Sequence, residues 1–327
     1  MDFDESDRRM ARRHLLTGSA ALLAAATLVS PSRAFPPGPP MPPAWPAAEV
    51  IRLWPGSPPG GGYAAQVLPA DFPKGFIRNI AEPALHLFRP ARSNGRALLV
   101  MPGGSYLFVS IGNEGVDVAR DLTGEGYTVF VLTYRLPGEG WRGRADVPLQ
   151  DAQRAMRLIG SLAPRFGYDP AKIAAIGFSA GGHLAASLAT AFDEPVYAPV
   201  DAIDRGLARP AAMGLIYPVI AVAGPQAHAD SARLLLGPDP APALVARRSP
   251  AQHVTGATPP LFFVHALDDD VVPPENSLLM LAAAREAHVA AEAHLFEQGG
   301  HGFGLGATGA PARAWSGLFA RWLDRHL

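Results

Sequence analysis

Residues 173–190, IAAIGFSAGGHLAASLAT, constrain the fold more than any other stretch of the chain. An apolar run at Ile173–Ile176 ends in Gly-Phe-Ser-Ala-Gly-Gly, and an alanine-rich segment of helical character follows at once. A strand that becomes a helix in so few residues belongs to an alternating architecture. The pattern repeats from Val50 onward. Strands are expected at Val50–Leu53, Ala84–Phe88, Ala97–Met101, Tyr127–Thr133, Ile173–Ile176, Met213–Tyr217, Leu261–His265 and Ala293–Phe296. Helical patterns lie between or after them at 114–123, 148–163, 180–191, 275–288 and 312–326. Such alternation predicts an α/β fold with a mostly parallel central sheet and helices on both faces. The interval 220–256, rich in Pro, Gly and Ala, breaks the rhythm and reads as a small insertion shaping one wall of a cleft, not a large lid.

A core of that size needs apolar residues, and the 327-residue chain has 48% of them against 17% charged. One large domain is expected over 50–327. The formal net charge of -1 gives no general pull toward nucleic acid or anionic membrane. No basic cluster with interleaved aromatics appears beyond the N-terminus, so nucleic acid is not an expected partner. There is no cysteine, which excludes a disulfide framework and any thiolate metal or redox site.

The N-terminus reads as an address. Arg12 and Arg13 precede Leu15 and Leu16, and an apolar stretch runs to about Val29. At roughly 15 residues it is short of the ~20 that span a bilayer. Ser32 and Ala34 suit positions -3 and -1 of a signal-peptidase site. Residues 1–34 are therefore expected to be an export signal of twin-arginine type, the alternatives being a general secretory signal or an uncleaved anchor, with no stable membrane span after processing and a periplasmic or secreted destination. Residues 35–49 follow as a proline-rich linker, with seven prolines in the eleven positions 36–46.

The chemistry centres on Gly177-Phe178-Ser179-Ala180-Gly181. A sharp strand-to-helix turn strains the residue at its apex, and glycines two places before and after make room for it. The serine oxygen is then held clear of the sheet at the positive end of a helix. The rival reading, a helix N-cap serine, leaves the glycine pattern and its partners unexplained. A hydroxyl needs a base, itself oriented by a third group. In this kind of fold acid and base follow the serine in chain order. His301, in GGHGFGL after the last strand, supplies the base. The acid comes from the Asp268, Asp269, Asp270 run that ends the strand before Val-Val-Pro. That triple Asp has no second ligand cluster, so neither metal nor cofactor is expected.

A tetrahedral intermediate also needs preplaced backbone donors. Pro102-Gly103-Gly104-Ser105-Tyr106 ends a strand where such donors belong, so the N–H groups of Gly104, Ser105 and Ala180 are the expected oxyanion hole. His183, within the helix after the serine, reads as packing. His265 sits beside the acid loop, and His228 is the histidine outside the triad best placed to touch substrate. Tyr106, Tyr134 and Trp141 lie near strand ends, and Tyr106, Tyr134, Glu114 and His228 are the expected substrate contacts. Arg135 and Asn276 read equally as cleft residues or as ion-pair and cap residues.

Taken together, these segments resemble the α/β-hydrolases of the branch that includes acetylxylan-esterase-like and feruloyl-esterase-like proteins. The resemblance rests on LWPGSPPG at 53–60, MPGGSY at 101–106, TYRLPGEG at 133–140, GFSAGGHLAASLAT at 177–190, TPPLFFVHALDDDVVPPENS at 258–277 and GGHGFGL at 299–305. It implies an α/β-hydrolase fold and places the orienting acid at Asp269, with Asp268 next. Two departures stand out: Pro-Gly-Gly-Ser replaces the His-Gly-Gly-Gly loop of many esterases, and Asp270 stands where proline is frequent. The resemblance further implies an exported serine esterase acting on short acyl esters of carbohydrate, such as acetylated xylan or xylo-oligosaccharides. A general carboxylesterase, a small-substrate peptidase and a non-catalytic binder on the same scaffold are the alternatives.

Overall fold

The computed structural model describes residues 41–43, 45–47 and 49–327. The expected export signal lies outside these residues. Ten strands form: β1 (Glu49–Arg52), β2 (Phe76–Ile77), β3 (Ala84–Phe88), β4 (Ala97–Met101), β5 (Val109–Ser110), β6 (Thr128–Thr133), β7 (Ile173–Phe178), β8 (Met213–Ile216), β9 (Leu261–Ala266) and β10 (Ala291–Phe296). Eight of them make one sheet in the order β1-β3-β6-β4-β7-β8-β9-β10, and β2 with β5 forms a separate ribbon. The first two pairings, β1 with β3 and β3 with β6, are antiparallel; every pairing from β6 to β10 is parallel.

Seven α-helices accompany the sheet: α1 (Asp117–Gly124), α2 (Val147–Phe166), α3 (Ser179–Thr190), α4 (Ala229–Leu236), α5 (Pro242–Arg247), α6 (Glu275–Glu286) and α7 (Trp315–His326). Successive side chains of a strand point to opposite faces. All six residues of β6, β7 and β9 are buried, so both faces of the sheet centre are covered. In α7, Trp315, Phe319, Trp322 and Leu323 recur at helical spacing and are buried; Phe319 and Trp322 pack on Phe262 of β9. The edge strand β10 alternates exposed with half-buried residues, the period of a strand wet on one side.

Every expected strand is present within two residues. The helix expected at 114–123 is divided: a π-helical turn at Gly112–Val116 leads into α1. The insertion 220–256 holds the short helices α4 and α5. In the proline-rich stretch, Met41 and Trp45 pack onto the core, Trp45 lies over His86 with ring centroids 3.9 Å apart, and β1 begins at Glu49.

One buried polar cluster holds the entry segment against the sheet edge that bears the site. Arg135 and Asp151 are fully buried and share a bidentate pair, with contacts of 2.8–3.0 Å. Asp151 also accepts from Trp54 Nε1 (2.9 Å) and the Arg135 backbone N–H (2.9 Å), while Arg135 donates to Pro59 O and Gln150 Oε1. The guanidinium lies over the rings of Trp54 and Trp141. Each side-chain polar atom of the Arg135–Asp151 pair itself is matched, which is what makes a buried ion pair tolerable.

Candidate active site

β7 runs into α3 with no intervening loop: the strand ends at Phe178 and the helix starts at Ser179. Ser179 has φ of +52°, in the left-handed region that a residue with a side chain enters at a cost. Its neighbours must be glycine because backbone passes where a side chain would stand. A Cβ on Gly177 would lie 2.2 Å from Gly181 O, and one on Gly181 would lie 2.2 Å from Met101 O, at the end of β4. The elbow is thus wedged between its own helix and the neighbouring strand.

Ser179 Oγ is 2.8 Å from His301 Nε2, and His301 Nδ1 is 2.7 Å from Asp269 Oδ2. A carboxylate can only accept, so Nδ1 carries the proton and Nε2 is free to accept from the serine hydroxyl. The other Asp269 oxygen accepts from the N–H groups of Val271 (3.0 Å) and Val272 (2.9 Å). Burial opposes the Asp269 charge. Hydrogen bonds from His265 and His301, the charge of His301 and the Val272 N–H outweigh it and hold the carboxyl well below the usual carboxylate range. Asp268 is engaged elsewhere, since its Oδ1 accepts from Gly299 N–H (2.9 Å) and Gly300 N–H (2.8 Å), tying the acid loop to the histidine loop.

The loop after β4 turns through Gly104 at φ +123°, where a Cβ would meet Phe108 O at 2.2 Å. Leu107 and Phe108 donate to Gly104 O, and Ser110 donates to Gly103 O. Among the described residues, the N–H groups of Gly104, Ser105 and Ala180 have no protein acceptor. The Ala180 N–H belongs to the first turn of α3, whose donors have no partner inside the helix. Ala180 directly follows the serine, and Gly104 and Ser105 follow Gly103, which packs against Ser179; unpaired backbone donors of this kind are able to stabilise negative charge on an oxygen.

A family model, BD-FAE, matches residues 85–283. The chain belongs to the BD-FAE family. It is 36% identical over 225 residues to endo-1,4-beta-xylanase B of Butyrivibrio fibrisolvens, covering 67% of this chain and 34% of that one. It is 30% identical over 249 residues to the acetylxylan esterase of Xylanibacter ruminicola, covering 74% of this chain and 48% of that one. It therefore spans about a third and about half of these two relatives. Among solved structures, the acetyl ester-xyloside bifunctional hydrolase of Caldicellulosiruptor lactoaceticus superposes with a TM-score of 0.72 at 32% identity, covering 86% of this chain and 97% of that one. The architecture is the α/β-hydrolase fold.

In this BD-FAE member three of the four expected substrate contacts are internal, which corrects the reading from sequence. Tyr106 is 2% exposed and its hydroxyl meets His183 Nδ1 at 2.8 Å. His183 Nε2 lies 2.9 Å from Arg248 O; a carbonyl only accepts, so Nε2 bears the proton and Nδ1 accepts from Tyr106. Burial lowers the His183 pKa to about 4, which keeps this strut neutral. Tyr134 is fully buried and donates to Pro102 O at 2.8 Å. Glu114 is also buried, with both oxygens occupied by protein donors. Strand-end aromatics and acids look alike in sequence whether they face the cleft or brace the loop behind it, and here they brace it. Trp141, Arg135 and Asn276 are buried as well. Asn276 Oδ1 accepts from Ile220 and Ala221 N–H (2.8 Å each) and its Nδ2 donates to Gln226 O, pinning the start of the insertion.

His228 differs. It is half-buried at the N-terminus of α4, where its Nδ1 accepts from the Ser231 N–H and faces Ser231 Oγ at 2.8 Å. Nε2 therefore carries the proton, and no protein acceptor meets it among the described residues. Burial lowers the His228 pKa and the charge of His301 adds to this, with Asp230 and Asp269 opposing. Its environment thus includes two members of the serine–histidine–aspartate chain. His265, which the sequence placed beside the acid loop, is fully buried between Ser277 Oγ (2.7 Å), Val272 O (3.0 Å) and Asp269 Oδ2 (3.3 Å), so it braces the acid.

Sequence reasoning missed Asn113 and Tyr217. Asn113 Nδ2 donates to Gly302 O at 2.8 Å, and Tyr217 OH donates to Glu114. Neither residue carried a spacing signal, since their partners are remote in sequence. No group of three or more His, Cys, Asp or Glu side chains able to hold a metal occurs among the described residues. An open cleft of about 520 Å³, bordered by Asn113, Asp117, Arg120, Phe303 and Leu305, lies against the histidine loop.

Proposed function

We propose that this protein is an exported serine esterase that hydrolyses short acyl esters, acetyl foremost, on carbohydrate of the xylan or xylo-oligosaccharide class. The observation that carries this reading is the Ser179–His301–Asp269 chain beside three unpaired N–H groups. The likeness to an acetylxylan esterase and to an acetyl ester-xyloside hydrolase supports the substrate class.

Ser179 Oγ attacks the ester carbonyl carbon as its proton passes to His301 Nε2, and Asp269 stabilises the resulting imidazolium. The oxyanion rests on Ala180, Gly104 and Ser105 N–H. The intermediate collapses, His301 gives its proton to the sugar oxygen, and the alcohol leaves. Water then attacks the acyl-serine with His301 again taking the proton, acetate departs and Ser179 is restored. The free Nε2–H of His228 is a donor for a hydroxyl of the alcohol portion. Export rests on the Arg12-Arg13 segment and the apolar run that follows it.

The test is acetate release from acetylated xylo-oligosaccharides by the purified protein, with p-nitrophenyl acetate as control and Ser179→Ala alongside. Release by the wild type alone is expected. Cleavage of the p-nitrophenyl ester with no release from the sugar would point instead to a general carboxylesterase. Silence on both would leave a binder.

A further inference from the structure

Behind the oxyanion loop, one buried carboxylate joins elements that are remote in sequence. Glu114 sits in the π-helical turn Gly112–Val116, closed by a Val116 N–H to Ile111 O bond of 2.8 Å. Such turns carry an extra residue and re-aim side chains near functional sites. Glu114 Oε2 accepts from Gly103 N–H at 2.7 Å, and Oε1 accepts from Tyr217 OH at 2.9 Å. The Tyr217 oxygen in turn accepts from Gly304 N–H at 2.9 Å, three residues beyond the catalytic histidine. The Tyr217 ring lies edge-on to His301 and Phe303, with centroids 5.1 and 4.5 Å away.

Gly103 also touches the elbow: a Cβ there would lie 2.7 Å from Phe178 O and 2.8 Å from Ser179 Cβ. Its position therefore sets how the following residues, Gly104 and Ser105, approach the serine. A buried charge is costly unless its partners are fixed, and well-packed apolar groups generally serve stability as well. Burial raises the Glu114 pKa, but the bonds from Gly103 and Tyr217 and the charge of His301 act to keep the carboxylate. Only an acceptor at both oxygens satisfies these two donors together.

We propose that Glu114 is a positioning residue for catalysis: its carboxylate holds the oxyanion loop at Gly103 and, through the Tyr217 hydroxyl, the histidine loop at Gly304, in mutual register across Ser179. The inference rests on the serine-esterase reading above and deepens it. Gln at this position keeps the size and can still accept from Gly103 N–H, but its NH2 group then faces the Tyr217 oxygen, which Gly304 N–H already occupies, and the Tyr217 proton loses its acceptor, so the second link is weakened. Phe at position 217 cuts the second link and leaves the first.

The experiment follows the p-nitrophenol burst with p-nitrophenyl acetate in wild type, Glu114→Gln, Tyr217→Phe, the double variant and Ser179→Ala, with melting curves for each. In Glu114→Gln the acylation rate constant is expected to fall on the order of 10–100-fold. That is less than the 10²–10³ caused by deleting an oxyanion donor outright. The half-saturating substrate concentration should stay within about threefold. Inhibition by a trifluoromethyl ketone, which places an oxyanion in the hole, should weaken in parallel with the rate. Tyr217→Phe, which removes the contacts of the hydroxyl to both Glu114 and Gly304, should show a fall of similar size, and the double variant no more than the larger single effect, because both changes cut one chain of contacts. A lower melting temperature or burst amplitude with an unchanged acylation rate overturns the proposal and leaves Glu114 a stability residue. If Glu114→Gln does not fold, Tyr217→Phe decides by the same criterion. A burst that survives in Ser179→Ala overturns the nucleophile assignment itself, and this inference with it.

Discussion

Replacing Asp269 with Asn preserves shape while reversing one hydrogen bond, and the structure says which one. Oδ1 is held by two backbone donors, Val271 and Val272, so the amide oxygen of Asn must take that place. The NH₂ group then stands where Oδ2 was, 2.7 Å from His301 Nδ1 and 3.3 Å from His265 Nε2. Facing a donor, His301 is driven to the tautomer with its proton on Nε2, pointing at Ser179, and can no longer act as base. The equivalent change in a serine protease triad lowers kcat about 10⁴-fold, which at 1.36 kcal/mol per tenfold is about 5.4 kcal/mol of transition-state stabilisation. The assay is kcat/KM on p-nitrophenyl acetate, with Asp268→Asn as control. Asn at 268 can still accept from Gly299 and Gly300, so that variant should stay within about tenfold of wild type. An Asp269→Asn enzyme within tenfold of wild type, or a larger loss in Asp268→Asn, would refute the reasoning. The same carboxylate leaves a thermodynamic trace. Its folded pKa is depressed, so its stabilisation is present above the unfolded value of about 3.9. That stabilisation is lost as pH falls through the folded value, well below. The stability difference between wild type and Asp269→Asn should accordingly shrink as pH drops below about 4.

Other consequences follow from single observations. Asp151→Ala leaves Arg135 charged and fully buried without its partner, so urea unfolding should show a loss of about 3–5 kcal/mol; a loss under 1 kcal/mol would mean the pair is not the anchor of the entry segment. His183 is neutral when folded and binds a proton only near pH 4, against about 6.5 when unfolded, so wild-type stability should decline as pH falls from about 6.5 toward 4. The His183→Gln slope over that range should be shallower by roughly one proton, and an unchanged slope would exclude the histidine as its source. His228→Ala should raise KM for acetylated xylo-oligosaccharides about five- to tenfold while leaving p-nitrophenyl acetate near wild type; equal effects on both would place His228 outside the alcohol subsite. Lys at both Arg12 and Arg13 should leave the protein in the cytoplasm in a fractionation assay, and normal export would argue for a general secretory signal.

The order of the main elements was legible because the central strands are apolar runs and helices such as α1, α2 and α7 bury one face at helical spacing, while α3 shows as an alanine-rich run that is buried almost throughout; α4 and α5, short helices of the insertion, carried no such signal. The elbow at Ser179 was legible for a related reason, whereas the residues alone left the acid open among 268–270 and the resemblance pointed to Asp269. A strand-to-helix turn with no spare room demands glycine at 177 and 181, and those glycines are visible without coordinates. The hand of each side chain at a strand end was not. Tyr106, Tyr134 and Glu114 all sit near the sheet edge in sequence, yet their hydrogen bonds brace the oxyanion loop from behind: positive φ at Ser105 and Tyr106 turns Tyr106 back, and Glu114 is carried by the π-helical turn.

The sequence by itself determined the alternating fold, the elbow with Ser179 and the His301 loop, and narrowed the acid to the 268–270 run, since local sterics and periodicity carry that much within a few residues; Asp269 was singled out by the family resemblance. Only the tertiary structure decided which donors remain free for an oxyanion and which carboxylate braces the loop. It also decided which histidine proton faces the site. Those are questions of pairing across separations of about a hundred residues, as between Glu114 and Tyr217. A buried donor is catalytic or structural according to whether another part of the chain reaches it first.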